Sequence, residues 1–333
     1  MNPDEVDPPE RLWHYTSGAG ARGIFTSGTL WAGHLGYMND SSEFDHAVAL
    51  SLEIALRLRD ELEDHEAGLE KWINYLTDSP PIVRLTGARS LHELGAGTAT
   101  KTRELLDALT AGGRSALYVP LDISEEVLLE AADQLRVDYP GLTVEPAVAD
   151  FHRLPTLTGE PGGRLLAFLG GTIGNFEEEA RADFLQMVRA ALDPGDHLLL
   201  GADLVKDRKR LVAAYDDEAG ITALFNLNLV DVITRTTPVS GLDRADFVHE
   251  AAWDEESSRI EMRLRAVRDI TADFTGIGRT WRLAAGEHLR TEISRKFDLD
   301  ALRDELVGHG FDPVAAWTDG AGDFSLTLAR VDA

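Results

Sequence analysis

The chain has 333 residues, a formal net charge of −26 and no cysteine. That charge repels phosphate backbones and anionic lipid, which argues against nucleic acid and membrane partners. Without thiols there are no disulfides, cysteine nucleophiles or thiolate metal sites. The acidic, proline-bearing stretch 1–10 is the reverse of a secretory signal, and no apolar run approaches the roughly 20 residues of a membrane helix, so a cytoplasmic protein is expected. The ten histidines include no His-Glu-x-x-His, and Gly-x-Ser-x-Gly is missing, so neither a metal site nor a serine hydrolase is expected.

A buried-type strand is expected at 90–94, running into Gly95-Ala-Gly97-Thr and a helix over 100–109. Strand, glycine turn and helix in that order make a nucleotide-type site, where small residues let the backbone approach a ligand closely. The usual third glycine is absent and no Gly-Lys-Ser/Thr follows, so a phosphate cradle is not expected. Glu93 at the strand end suits a cationic ligand better than a pyrophosphate. The plain alternative is a tight strand-to-helix turn.

Strands at 115–121, 142–148, 164–169 and 197–202 then alternate with helices at 124–139 and 178–192, the pattern of a parallel sheet covered on both faces. Tyr139-Pro-Gly141 and Asp193-Pro-Gly195 close two of the helices. Ser124 followed by Glu125 and Glu126 reads as an N-cap with acids in the first turn. After 202 the alternation stops. Helices over 208–215 and 221–234 mix with strands over 247–253, 259–267 and 279–283, which reads as an insertion. A strand at 291–297, a helix at 299–309 and a last strand at 324–330 follow, the last expected to pair antiparallel at or near a sheet edge.

In such a sheet the ligand lies beyond the carboxyl ends of the strands. Asp122 ends the second strand, 27 residues after Gly95, where a carboxylate can accept two ribose hydroxyls. Asp150 with Phe151 ends the third, suited to an adenine amino group and ring. The fourth ends in Gly170-Gly-Thr-Ile-Gly-Asn175. Each acid alone reads equally as a loop carboxylate or helix cap; their order along the chain favours the ligand.

Several strings resemble a known family. They are His92-Glu-Leu-Gly-Ala-Gly-Thr98 with Lys101-Thr-Arg103, Phe168-Leu-Gly-Gly-Thr-Ile-Gly-Asn175, Leu200-Gly-Ala-Asp-Leu-Val-Lys206, Ala214-Tyr-Asp-Asp217, Phe225-Asn226, Arg259-Ile-Glu-Met262, Thr291-Glu-Ile-Ser294 and Trp317-Thr-Asp319. Together they are similar, over about 89–331, to the S-adenosylmethionine-dependent L-histidine Nα-methyltransferases of ergothioneine biosynthesis. The resemblance implies an α/β fold with a Rossmann-like class I methyltransferase sheet, an inserted α+β substrate-binding domain and an atypical N-terminal segment. The corresponding spans are 89–204 with 289–333, 205–288, and 1–88.

For the cofactor, S-adenosyl-L-methionine, the resemblance implies Gly95 and Lys101 at the methionine portion, Asp122 at the ribose, and Asp150 with Phe151 at adenine. For L-histidine it implies Gly170, Asn175 and Tyr215 at the amino and carboxylate groups, with Asn175 and Tyr215 aligning the reacting amine. Met262, Glu292 and Ser294 would line the imidazole pocket, and the product would be the trimethyl betaine, hercynine. Each also has a plainer reading: Met262 as core, Tyr215 as helix packing, Glu292 paired with Arg295, Asn175 as a helix cap. A monomer is expected.

Before residue 89 the chain departs from the family, and its tyrosines that reach the substrate cannot be aligned there. Leu12-Trp-His14-Tyr15-Thr-Ser17 and Tyr37-Met-Asn-Asp40 instead resemble the start of a bacterial domain of unknown function, loosely similar to ADP-ribosyltransferases. Fifty to sixty residues are too few for that catalytic fold, so His14 and Tyr15 read as packing residues. The alternative function is a cofactor-binding protein whose amino-acid specificity is impaired or altered by the replaced segment.

Overall fold

The computed structural model describes residues 82–99, 102–111, 115–150 and 154–332. His14, Tyr15, Lys101 and Phe151 lie outside the described residues. In chain order the first elements are α1 (Ile82–Thr86), β1 (Ser90–Leu94), α2 (Arg103–Thr110), β2 (Ala116–Asp122), α3 (Glu125–Asp138), β3 (Leu142–Val144) and β4 (Ala147–Val148). Next come β5 (Arg164–Phe168), α4 (Glu178–Ala191), β6 (His197–Asp203), α5 (Arg208–Tyr215), α6 (Ile221–Thr236), β7 (Val239–Ser240) and β8 (Phe247–Asp254). The rest are β9 (Arg259–Ala266), β10 (Ile270–Phe274), β11 (Arg279–Leu283), β12 (His288–Arg295), α7 (Leu299–Gly308), β13 (Phe311–Thr318) and β14 (Phe324–Val331).

The described residues fall into two compact units. The larger, 82–212 with 253–260 and 293–332, is built on a sheet in the order β13-β14-β6-β5-β1-β2-β3, with β4 also beside β2. β1, β2, β3, β4, β5 and β6 pair in parallel, while β14 runs antiparallel to both β6 and β13. Among the parallel strands, sequence order therefore runs outward in both directions from the β1–β5 junction, the topological switch point where such sheets hold ligands.

β1 and β5 are buried at every position, as strands covered on both faces must be. Alternation along β5 divides the core. Leu166 and Phe168 pack with Phe184, Leu185 and Val188 of α4 and with Leu302 and Leu306 of α7. Leu165 and Ala167 face the layer formed by Ile82 of α1, Leu106 and Leu109 of α2, and Ala132 and Leu135 of α3. Each buried leucine stabilises the unit by about 1.5–3 kcal/mol.

At the strands' amino ends, buried Asp196 accepts from Gly162 N (2.8 Å), Arg164 N (3.0 Å), Arg164 Nε (2.8 Å) and Asp193 N (2.9 Å). His92, buried in β1, gives Nε2–H to the Thr158 carbonyl at 2.9 Å, and burial lowers its pKa to about 4.

The smaller unit takes in residues 213–252 and 261–292 of the described chain. Leu229 and Val230 of α6 pack there with Phe247, Leu264, Ala266, Ile270, Leu283 and Leu289. The short sheets are ordered β11-β10-β7 and β12-β9-β8.

Some expected elements change. The strand expected at 142–148 breaks into β3 and β4. β13 was unforeseen because Pro313 and a register shift between Pro313 and Ala315 interrupt its pattern, both tolerated in an edge strand. The last strand, β14, is antiparallel and near the sheet edge as expected, one strand in from it. Ser124 makes no side-chain cap; its backbone N–H donates instead to Asp122 Oδ1.

Candidate functional site

Register decides what stands at the sheet's carboxyl edge. Leu94 of β1 lies opposite Leu121 of β2 and Phe168 of β5, and Phe168 lies opposite Leu200 of β6. The chain leaves these strands through Gly95, Asp122 and the loop at Gly170, on one side of the unit. Asp122 is also level with Val148, which brings Asp150 to the same edge.

The turn after β1 is shaped by its glycines. Gly95 (φ +68°) and Gly97 (φ +51°) adopt left-handed backbone, and nothing lies within 4 Å of where a Cβ would be on either. Gly95 N and Ala96 N both donate to the Leu121 carbonyl, at 2.8 and 3.0 Å. Gly97 N donates to Asp122 Oδ2 at 2.9 Å and Ser124 N to Oδ1 at 3.0 Å. The Asp122 carboxylate is thus pre-oriented by two backbone donors, with lone pairs remaining for a ligand. Glu93 is buried, and its Oε2 accepts from Thr102 Oγ1 and Tyr118 Oη, both at 2.5 Å. Burial, reinforced by the Glu93 charge, pushes the Tyr118 phenol well above its ordinary range, so it stays a donor.

The loop after β5 carries two consecutive left-handed glycines, Gly170 (φ +79°) and Gly171 (φ +75°), before a 3-10 turn over Thr172–Asn175. Phe176 anchors that turn in the core, its ring centroid 5.1 Å from Phe184 and 6.3 Å from Phe168. Gly174 lies against the far end of β12: a Cβ there would sit 2.5 Å from the Arg295 carbonyl oxygen. That close approach brings the Asn175 loop beside the segment bearing Ser294.

Beyond Ser294 the chain is tied on both sides. Lys296 N donates to the Ser258 carbonyl (2.8 Å), Phe297 N to Asp203 O (2.8 Å) and Val205 N to Phe297 O (3.0 Å). The buried Lys296 ammonium donates to Asp203 Oδ2 at 2.5 Å and Ser294 Oγ at 2.9 Å.

Tyr215, Met262 and Glu292 belong to the smaller unit. Tyr215 is half-buried at the end of α5, and its carbonyl is 2.7 Å from His249 Nε2. Asn226 Nδ2 lies 2.8 Å from His249 Nδ1 and 3.1 Å from the Arg263 carbonyl. A carbonyl only accepts, so His249 carries its proton on Nε2 and accepts from Asn226 at Nδ1. Met262 is buried in β9, and its carbonyl accepts from Thr291 Oγ1 at 3.0 Å, beside half-buried Glu292.

Lys296 and His249 were not singled out from sequence, and Gly97, Asp203 and Asn226 stood there only within longer strings, with no role of their own. The signal for Lys296 was present: it stands two residues after Ser294 in a strand pattern, hence on the same face. His249 and Asn226 meet Tyr215 only through the fold. Among the described residues no group of three or more His, Asp or Glu side chains is arranged to hold a metal ion, and no helix is long and apolar enough to cross a membrane.

Residues 76–331 match the family described as S-adenosylmethionine-dependent, histidine-specific methyltransferase. The chain is 42% identical over 253 residues to the histidine N-alpha-methyltransferase of Mycolicibacterium smegmatis, a span of 76% of this chain and 78% of that protein. Identity to the protein of the same name from Mycobacterium tuberculosis is 43% over 251 residues, 73% of this chain and 75% of that one. The ergothioneine biosynthesis protein 1 of Schizosaccharomyces pombe is 29% identical over 186 residues, 54% of this chain and 24% of that protein.

Proposed function

Because the chain belongs to the family of histidine-specific, S-adenosylmethionine-dependent methyltransferases, we infer that it methylates the α-amino nitrogen of L-histidine in ergothioneine biosynthesis. The trimethylated amino acid, hercynine, is the proposed end point. The observation that carries this reading is the 42–43% identity extending over three quarters of the chain and of both bacterial relatives.

The cofactor supplies a methyl group made electrophilic by its sulfonium. The residues of the sheet edge suit it: the space over Gly95 and Gly97 is open to a ligand, and the oriented Asp122 carboxylate suits a ribose diol. In this reading Gly95 and Lys101 hold the methionine portion, Asp122 the ribose, and Asp150 with Phe151 the adenine. Gly170, Asn175 and Tyr215 hold the amino acid's carboxylate and amine. Glu292 accepts from one imidazole nitrogen, Ser294 bonds the other, and Met262 packs against the ring.

Displacement at a methyl group is in line and needs no covalent intermediate on the protein. The demands on the chain are alignment of the amine and a neutral nitrogen to attack. Asn175 and Tyr215 meet the first by fixing the carboxylate, which sets where the nitrogen points. Selectivity comes from the polar groups around the ring, since a site with buried hydrogen-bonding groups rejects analogues that leave them unpaired. Residues 205–288 are assigned as the substrate-binding insertion on a core of 89–204 and 289–333, with 1–88 as an atypical segment, and the enzyme is taken to act as a monomer.

The test is calorimetric titration of S-adenosylhomocysteine, then of histidine into the saturated protein, followed by mass spectrometry of the products formed with S-adenosylmethionine. Saturable histidine binding and mono-, di- and trimethylhistidine are expected. Cofactor binding without histidine binding would overturn the substrate assignment.

A further inference from the structure

Lys296 is 1% exposed and lies just past the end of β12. Its ammonium group has three N–H donors and no lone pair. Two of its contacts are Asp203 Oδ2 at 2.5 Å and Ser294 Oγ at 2.9 Å. Backbone bonds from Lys296 N to Ser258 O and from Phe297 N to Asp203 O hold the segment in place, so the arrangement is built in. Lys206 Nζ stands 2.8 Å from Asp203 Oδ1, close enough for charge attraction but without hydrogen-bond alignment. Asp203 therefore keeps a counter-charge even if Lys296 is replaced.

A serine hydroxyl has one proton and two lone pairs. Toward Lys296 the Ser294 oxygen can only accept, so its own proton must go to a different acceptor. We propose that Lys296 is a specificity-determining positioning residue that sets the polarity of Ser294, committing its hydroxyl to donate to the unprotonated ring nitrogen of histidine. The inference rests on the reading that Ser294 faces the imidazole. It deepens that reading: Ser294 demands an acceptor, so the site selects a ring with one accepting nitrogen and rejects rings that offer C–H or N–H at that position. Without Lys296 nothing requires the Ser294 oxygen to accept from that side, and the hydroxyl can present a lone pair to the ring instead.

The experiment compares kcat/KM for histidine with that for its pyrrole analogue, in which C–H replaces the accepting nitrogen, with S-adenosylmethionine and mass-spectrometric detection. The wild type is expected to favour histidine by at least about tenfold, the scale of one unpaired buried donor. Lys296→Met should lower that ratio severalfold while S-adenosylhomocysteine affinity stays unchanged; Lys296→Arg, which also only donates, should keep it. Should Lys296→Met fail to fold, Lys296→Met with Asp203→Asn removes the opposing carboxylate as well and should show the same lowered ratio. A wild-type ratio in folded Lys296→Met, with Ser294→Ala lowering it, overturns the role of Lys296 alone. A wild-type ratio in Ser294→Ala overturns the placement of Ser294 at the ring and this inference with it.

Discussion

Replacing Asp122 by Ala removes a buried carboxylate whose Oδ2 accepts Gly97 N at 2.9 Å and whose Oδ1 accepts Ser124 N at 3.0 Å. The first bond holds the turn after β1; the second holds the start of α3. A hydrogen bond to a charged group contributes about 1.5–3 kcal/mol, so releasing these two loosens the turn and lowers stability by about that amount for each bond not replaced by water. The ribose hydroxyls assigned to the same carboxylate would lose their acceptor too. Even one such bond predicts at least about a tenfold rise in Kd, since 1.4 kcal/mol is a factor of ten. Asp122→Asn separates the effects, because it keeps one oxygen acceptor but turns an amide N–H₂ toward one backbone donor. The assay is calorimetric titration with S-adenosylhomocysteine, alongside thermal melts to confirm that each variant is folded. A folded Asp122→Ala protein with lowered stability but wild-type affinity would refute the ribose assignment and leave Asp122 as a clamp between turn and helix.

Gly174→Ala would place a Cβ 2.5 Å from the Arg295 carbonyl, and backbone must move to admit it. Histidine KM should rise about fivefold or more, on an overpacking cost of about 1–3 kcal/mol, with S-adenosylhomocysteine affinity unchanged in calorimetry; an unchanged KM would show that the contact does not position the Asn175 loop. Asp196→Asn weakens the buried Arg164 pair at the opposite end of the strands and should lower stability by up to about 3–5 kcal/mol in denaturant titration, with kcat of the folded protein unaffected. His92 is held neutral by burial, its pKa lowered from 6.5 to about 4. The unfolded chain binds the proton more readily, so stability should fall as pH drops from about 6.5 toward 4, by at most about 3 kcal/mol, and level off below. Urea unfolding of His92→Gln across that range should show a shallower slope, and an unaltered slope would assign the acid sensitivity to other groups.

Much of the larger unit was legible along the chain because its physics is local. Strands covered on both faces read as short, largely apolar runs, as at 164–168, although 90–94 also buries Ser90, His92 and Glu93, and the helices between them carry one apolar stripe. The glycines after β1 and β5 mark backbone that residues with a side chain avoid, and the carboxyl-end acids follow in strand order. What the sequence could not order was pairing across distance. That Lys296 meets Ser294 is a neighbour relation, but that both are bonded into a cluster with Asp203 depends on the segment after β12 lying against the end of β6. The requirement for glycine at 174 comes from an Arg295 carbonyl far along the chain, and the tautomer of His249 from Tyr215 and Asn226 on separate helices. β13 escaped notice because an edge strand tolerates a proline and a register shift that would break a central one. Composition and periodicity determine which residues are buried and in what order they reach the sheet's edge. Only the tertiary structure decides which polar atoms meet there, because a hydrogen bond depends on separations of a few tenths of an ångström between segments that sequence distance does not constrain.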